Sequence, residues 1–355
     1  MKIKSMFVLV CSIIFTMCLC SIAFASSAKT EAINFLKQAT KNTVEAHNTA
    51  YAINLSTTGP LANCNIDLNG NYAYPVLTNG DMSLTLDLWI IDTTFKAQMQ
   101  YYSEIEGDTY KQYFKTQTEP NLKNNSTEIN ANQWYVQTIK LPKDFNANYD
   151  EHVQKSIKEV ADNIKNIFMY DTDDKTTKIY VTYKRPILDE DKLNEALNFT
   201  SANKEEMEKI NEISKKIEEN PKLKTDLTKP CELTYEITID KENMVITSIQ
   251  SDVSAVVQAF GTDILNNISD EELTMNDTPV SGETVRNIIK GYLERSKFTI
   301  NIQLADFNKA DVKSVPQEIK DNAIEPPKSP TKISEADDTT DLTIIEEVLE
   351  AVAIV

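Results

Sequence analysis

The stretch MSLTLDLWII, residues 82–91, alternates apolar and polar side chains over most of its length. Successive side chains of a β-strand point to opposite faces of a sheet, so this period predicts a strand with one apolar face. The same period recurs in segments on both sides, at 52–57, 63–74, 95–105, 109–115 and 133–139. We therefore predict an antiparallel meander, with hairpin turns at Asn79-Gly80-Asp81 and Glu106-Gly107-Asp108.

Helical periods flank this meander. Apolar residues spaced by three and four predict helices at 29–47 and 283–294, and two further helices that carry apolar stripes at 153–167 and 207–217. Alternation returns in the segments 179–183, 233–239, 245–253 and 298–304. We expect an α+β fold, a curved antiparallel β-sheet covered by helices, because an apolar sheet face has to be buried against another layer.

The first residues predict export. Lys2 and Lys4 precede an uncharged stretch from Met6 to Phe24, and small residues flank Phe24 at the point where a signal peptidase would cut. We predict a signal peptide at 1–25, a single domain at 26–323 with a helical insertion at about 150–225, and a Pro-rich acidic linker with a short amphipathic segment at 324–355. Retention of the uncharged stretch as a membrane anchor is the alternative.

The charge of the chain limits its partners. The formal net charge is −18 at pH 7. A negative field disfavours nucleic acid and anionic membrane surfaces as partners, so we expect no nucleic-acid binding and only transient membrane contact. Together with the signal peptide, this places the chain in the periplasm, the cell envelope or the extracellular space.

Two cysteines, Cys64 and Cys231, remain after the predicted signal peptide. In an exported protein an even pair favours a disulfide, here between an early and a late strand. Two separate buried thiols are the alternative.

Catalytic and metal motifs are absent from the sequence. His47 and His152 are the two histidines, neither lies beside a nucleophile motif, and seven glycines form no phosphate-binding loop. The acidic run from Asp171 to Asp174 lacks the glycine of a calcium loop and has Lys175 at a ligand position. We predict no catalytic residue, no cofactor, no metal and no enzymatic activity; a carboxylate pair of the glycosidase type is the enzymatic alternative.

Four segments resemble the LolA/LppX-like envelope carriers of lipids and lipoproteins over about 28–323. They are AINFLKQATKNTVEAHNTAYAINL (32–55), WYVQTIKLP (134–142), CELTYEITIDKENMVITSIQSDVS (231–254) and FTINIQLADFNKADVKSVPQEIKDNA (298–323). The resemblance implies a half-barrel whose concave side, under a movable helical lid, holds acyl chains.

The resulting hypothesis is an exported, non-enzymatic protein that binds a lipid, an acyl chain or a lipoprotein in the cell envelope, with an envelope protein as a further partner. The apolar alternation predicts the lining residues Leu84, Leu86, Leu88, Phe95, Met99, Tyr101, Ile164, Phe168, Leu233, Tyr235, Ile237, Phe298, Ile300 and Ile302. The alternative is a structural or interaction protein of the envelope with a filled core and no ligand.

Overall fold

The computed structural model describes residues 27–74, 77–89, 93–116, 133–141, 164–186, 230–266, 268–270 and 281–326. The predicted signal peptide, the predicted helix at 207–217 and the C-terminal segment from 327 onward lie outside these ranges.

The described chain contains eleven strands and four helices. In chain order they are α1 (Ser27–Glu45), β1 (Asn48–Thr58), β2 (Ala62–Ala73), β3 (Leu77–Leu88), β4 (Thr93–Glu106), β5 (Thr109–Thr116), β6 (Tyr135–Lys140), β7 (Ile164–Asp171), β8 (Thr176–Pro186), β9 (Pro230–Asp240), β10 (Val245–Asp252), α2 (Ser254–Asn266), α3 (Gly282–Arg295), β11 (Lys297–Ala305) and α4 (Gln317–Asn322).

All eleven strands belong to one antiparallel sheet in the order β6-β5-β4-β3-β2-β1-β11-β10-β9-β8-β7. Two meanders, β1 to β6 and β7 to β11, are joined where β1 pairs with β11, for example at Ile53 and Ile302. The sheet is open, with β6 and β7 at its two edges. This architecture confirms the predicted large antiparallel sheet and matches a curved half-barrel.

Residues directly opposite each other in antiparallel strands share a face. The strand pairing therefore gathers most apolar strand side chains from β7 across to β4 on one face of the sheet, which we call the apolar face. Over β7 to β11 this apolar face is covered by α1. The helix contributes Ile33, Leu36 and Ala39 to a core that includes Ile179 and Ile239, and Ile33, Leu36, Ile179 and Ile239 are 0% exposed. The central core of the domain therefore lies between α1 and the β7–β11 half of the sheet.

The opposite face, which we call the outer face, carries a second layer over the β1–β6 half. After β11 the chain crosses this face as a strap formed by residues 306–326. Val315 and Ile319 of the strap pack with Tyr113 of β5, and Lys320 forms an ion pair with Glu104 of β4 at 2.6 Å. The strap ends at β6, where the Ile324 amide donates to the Trp134 carbonyl at 3.1 Å.

This last contact changes a predicted boundary. The Val136 amide also donates to the Ile324 carbonyl at 2.9 Å, so Ile324 belongs to the sheet layer. The described domain therefore extends past the predicted end at residue 323, into the segment that the sequence assigned to a linker.

The predicted turn at Asn79-Gly80-Asp81 is wrong, because these residues lie inside β3. Gly80 pairs with Gly70 of β2, and the ladder continues on both sides of the pair. A Cβ atom on Gly80 would collide with the Asn69 carbonyl oxygen, so glycine is needed for a close approach of two strands. The predicted turn at Gly107 is confirmed, and its φ of 64° is the left-handed value that favours glycine.

The predicted helix at 153–167 is wrong at its C-terminal end, because Ile164–Asp171 is strand β7. A register shift between Ile164 and Asn166 lets Ile164 and Ile167 both pack in the core at a spacing of three, which imitates a helical period. The described part of the predicted helical insertion thus consists of β7 and β8. The remainder, and with it most of the predicted helical cover, lies outside the described residues.

Helix α2 was not predicted, because Val253, Val256 and Val257 extend the strand pattern of β10. The helix begins where the Asp252 carboxylate accepts from the Ser254 amide at 3.0 Å, a local turn that ends the strand. Helices α2 and α3 pack on each other, and the Ser254 hydroxyl accepts from the Phe298 amide at 2.8 Å. They therefore stand at the end of the sheet where β10 ends and β11 begins.

Candidate functional site

The candidate site is the part of the apolar face formed by β11 and β1 to β4, which we call the apolar patch. Three rows of side chains cross these strands at paired positions. Spacing of about 4.8 Å between neighbouring strands makes the patch about 19 Å wide. From β11 to β4 the rows are Ile302, Ile53, Leu68, Met82, Met99; then Ile300, Leu55, Ile66, Leu84, Ala97; and then Phe298, Thr57, Cys64, Leu86, Phe95.

The apolar patch differs from the core in exposure. Ile302, where the patch meets the core, is 5% exposed, whereas the other members of the patch are only half-buried. In the β7–β11 half, Ile179, Val181 and Ile239 are 0% exposed. A contiguous apolar surface that stays partly exposed is the feature that most often marks a binding site in a soluble protein.

No charged side chain lies on the apolar face within the described strands β1 to β6, where paired positions place all Asp, Glu and Lys residues on the outer face or at strand ends. The outer face of the same strands is polar. Asn54 donates to Asn65 and to Asp67, both at 2.7 Å, in a ladder that crosses β1 and β2. The β1–β6 half therefore separates a hydrated outer face from an uncharged inner one.

Helix α3 closes one end of the patch. Tyr292 of α3 donates through its hydroxyl to the Ala62 carbonyl at 3.2 Å, next to Cys64. Burial raises the pKa of the Cys64 thiol and is also the main cause of the raised pKa of Tyr292. Both groups therefore stay protonated at neutral pH, and this end of the patch is uncharged as well.

Two facing glycines mark the other end. Gly70 and Gly80 stand in one row between Tyr51 of β1 and Tyr101 of β4, whose hydroxyls hydrogen-bond each other. A Cβ atom on Gly70 would lie 2.9 Å from the Tyr51 hydroxyl, and one on Gly80 would lie 2.7 Å from the Tyr101 hydroxyl. The glycines thus make room for two phenol hydroxyls to meet above the backbone.

The predicted lining residues fall into three groups. The first group belongs to the apolar patch or adjoins it. The half-buried members of the patch are Leu84, Leu86, Phe95, Met99, Phe298 and Ile300, and Ile302 connects the patch to the core. Two further residues, Leu88 and Tyr101, lie next to the patch on the same face. By contrast, Ile164, Leu233, Tyr235 and Ile237 are buried in the core that α1 covers.

Phe168 is the exception. It pairs with Tyr180, which in turn pairs with Glu236, and these side chains lie on the outer face. Phe168 is 63% exposed and forms an aromatic group with Tyr170 and Tyr180. Because of the register shift at the start of β7, Ile164 and Ile167 both face the core and Phe168 lies on the outer face.

The predicted disulfide is not formed. Cys64 lies on β2 and Cys231 on β9, with β1, β11 and β10 between them in the sheet. Strand spacing places the two about 19 Å apart along the sheet, well beyond the reach of a disulfide. Cys231 instead packs against the core, and Cys64 is half-buried in the apolar patch.

The sequence analysis did not select the members of the patch that β1 and β2 supply, such as Leu55, Ile66 and Leu68. Their alternation was recognised, but Asn and Asp at the intervening positions gave these strands a polar appearance. Tyr101 was selected, but its pairing with Tyr51 was missed because Gly80, which lies between them in the sheet, was interpreted as part of a turn.

Two kinds of feature, a metal site and a membrane-spanning helix, are absent from the described residues. No group of three His, Cys, Asp or Glu side chains is arranged to hold a metal ion. Within the same residues, no helix is both long enough and apolar enough to cross a bilayer.

The sequence matches no protein-family profile and no curated protein. Among solved structures, LprF from Mycobacterium bovis matches 82% of this chain and 99% of its own length at 9% identity, with a TM-score of 0.31. A beta-barrel-like protein of domain of unknown function DUF1849 from Brucella abortus matches 75% of this chain and 98% of its own at 8% identity, with a TM-score of 0.24. Because both superpositions are loose, we draw no functional conclusion from them.

Proposed function

We propose that this chain is an exported, non-enzymatic binding protein whose apolar patch holds the acyl chain of a lipid, a free acyl ligand or a lipoprotein in the cell envelope. The observation that carries the proposal is the combination of three continuous apolar rows, half-exposed side chains and an uncharged face. Contact between water and an apolar surface is unfavourable in free energy, and a bound acyl chain would replace that water.

The expected affinity is sufficient for a carrier. Burial of one methylene contributes about 0.8 kcal/mol, so ten buried methylenes supply roughly 8 kcal/mol before the cost of ordering the chain. That gross figure corresponds to dissociation constants on the order of micromolar or weaker. Such a ligand can also be released, which transfer to an envelope partner requires.

The position of α2 and α3 suits a movable cover. They contact the sheet at one end of the patch, through Val256 in the core and Tyr292 near Cys64. A displacement of α3 at Tyr292 would change access to the patch. We propose this pair, in place of the helices predicted from the sequence, as the described part of the lid.

The test uses two neighbouring residues of β3 that point to opposite faces. Leu84→Glu places a charge in the middle row of the patch, and Thr85→Glu adds the same charge on the outer face. Native mass spectrometry and organic extraction of the purified exported chain should reveal bound acyl species. A fluorescent fatty acid should bind saturably to the wild type and to Thr85→Glu, and at least about tenfold more weakly to Leu84→Glu.

Absence of acyl species together with absence of saturable binding in the wild type would overturn the proposal. Equal binding by the two variants would show that the ligand does not lie on this face.

The exposed aromatic group favours a second candidate, an interaction protein of the envelope. Phe168, Tyr170 and Tyr180 are 63%, 37% and 36% exposed on the outer face, and aromatic side chains are enriched at protein interfaces. Under this candidate the wild type binds no acyl probe. Cross-linked complexes in the cell would then survive Leu84→Glu and be lost in Phe168→Ala.

A further inference from the structure

At the end of the apolar patch, two adjacent lines of paired residues carry hydroxyl groups. The first line contains Tyr51 and Tyr101. In the next row Thr78 of β3 and Ser103 of β4 are directly paired, and their hydroxyls hydrogen-bond each other. Ser103 is 1% exposed and Tyr101 is 6% exposed. We call these four side chains the hydroxyl row; they lie at the opposite end of the patch from α3.

We propose that the hydroxyl row receives the polar group of the bound amphiphile, and that this polar group is uncharged, such as the ester or free hydroxyl of an acylated alcohol. The inference rests on the proposed function, since it names the ligand class of the same site.

The first argument is the position of the row. Gly70 lies two positions from Leu68 on β2, and Gly80 lies two positions from Met82 on β3, so the phenol hydroxyls directly adjoin the first row of the apolar patch. An acyl chain lying on the patch therefore brings its polar end to these hydroxyls. A tyrosine hydroxyl both donates and accepts, so the Tyr51–Tyr101 pair can rearrange around an ester or alcohol oxygen.

The second argument is charge. The described strands β1 to β6 place no Lys or Arg on this face, so these strands offer no counter-charge to an ionised carboxylate or phosphate. Burying an unpaired ion costs far more than burying an alcohol or ester that keeps one hydrogen bond. Tyr110, which hydrogen-bonds Ser103, has a pKa raised by burial, so this neighbour is also neutral at physiological pH.

The facing glycines support the same conclusion. A side chain on Gly70 or Gly80 would fill the space that the two phenol rings occupy. The space above the two glycines therefore accommodates hydroxyl groups next to an apolar surface, and no charged side chain of the described strands β1 to β6 lies in it.

The experiment compares monopalmitoylglycerol, methyl palmitate and palmitate as competitors of a neutral fluorescent acyl probe bound to the wild-type chain. At about pH 8 palmitate is ionised, and we expect the two uncharged ligands to bind at least about tenfold more tightly than palmitate. Tight binding of palmitate alongside the uncharged ligands would overturn the inference and leave the proposed function intact. Failure of every acyl ligand to bind would overturn the proposed function itself.

Variants locate the polar group. The double variant Tyr51→Phe with Tyr101→Phe removes both hydroxyls, and we expect it to weaken monopalmitoylglycerol binding about three- to tenfold. Tyr102→Phe is the matched control, because Tyr102 is the next residue of β4 and lies on the outer face against Trp134. An unchanged affinity in the double variant, or an equal loss in the control, would contradict the assignment of the subsite.

Discussion

The two halves of this sheet carry their packed layers on opposite faces. In the β7–β11 half, α1 covers the apolar face and buries Ile179 and Ile239 completely. In the β1–β6 half, the strap covers the outer face, where Val315 and Ile319 pack on Tyr113. On the apolar face of the second half, the patch side chains on β1 to β4 stay half-buried, whereas Tyr101 and Tyr135 beyond the patch are buried.

Under the proposed function, this difference separates stability from ligand binding along one continuous surface. A sheet whose whole apolar face were buried by helices would have no site, and one without any cover would have no core. Here the division falls at β11, where Ile302 is buried and Ile300 is half-buried. The comparison predicts that equal substitutions in the two halves will have unequal effects.

The largest expected difference is between two leucines on the same face. Leu233 of β9 is 3% exposed in the core, and its replacement by Ala should lower the free energy of unfolding by about 2–5 kcal/mol. Leu84 of β3 is half-buried in the patch, so Leu84→Ala should cost about 1 kcal/mol. Urea denaturation followed by circular dichroism measures both, and equal losses would remove the distinction between the halves.

The second-largest expected effect on stability concerns the close approach of β2 and β3 at the Gly70–Gly80 pair, next to the patch. Gly80→Ala forces a methyl group against the Asn69 carbonyl and the Tyr101 hydroxyl, so we expect a loss of about 1–3 kcal/mol in the free energy of unfolding. Gly291→Ala in α3 meets no atom within 4 Å and should instead stabilise the protein by about 0.5–1 kcal/mol. A neutral Gly80→Ala variant would show that the glycine pair is not needed at this point.

The smallest expected effect on stability concerns the contact of Lys320 in the strap with Glu106 of β4. Hydrogen bonds from Lys111 and Lys320 lower the pKa of Glu106 to about 2. Because the folded pKa lies below the unfolded value, the contribution to stability is complete above about pH 4.3 and is lost as the pH falls toward 2. The carboxylate is largely exposed, so we expect less than about 1 kcal/mol from it.

This contribution is measured by comparing the wild type with Glu106→Gln in chemical denaturation across that pH range. The difference between the two should shrink as the pH falls and should also shrink at high salt. A difference that does not depend on pH would mean that the lysines of β5 and the strap do not stabilise the charged form.

Much of the sheet follows from the sequence, because alternation is a local property. The segments around Leu84, Leu233 and Ile300 were all predicted as strands, and they form β3, β9 and β11. The errors have physical causes: a register shift in β7 imitated a helical period, and the glycine at position 80 serves a tertiary contact although its sequence is typical of a turn.

The extent of the candidate site could not be predicted in the same way. Leu84 and Leu233 occur in equally regular alternating patterns, and no local signal tells which of them a helix will cover. Which of the two leucines is covered depends on where α1 packs on the sheet that the two meanders form by pairing β1 with β11. The position of the strap on the outer face is likewise a tertiary result, because Val315 and Ile319 lie in a short, mainly polar segment.

The most direct test is to map where an apolar ligand lies. A long-chain alcohol that carries a photoreactive diazirine is bound to the purified chain and irradiated, and the labelled peptides are identified by mass spectrometry. We predict labels on β1 to β4, around Leu55, Leu68 and Leu84, with competition by unlabelled alcohol. Labelling concentrated on α1 and on β8 or β9, or no labelling that competitor removes, would contradict the account.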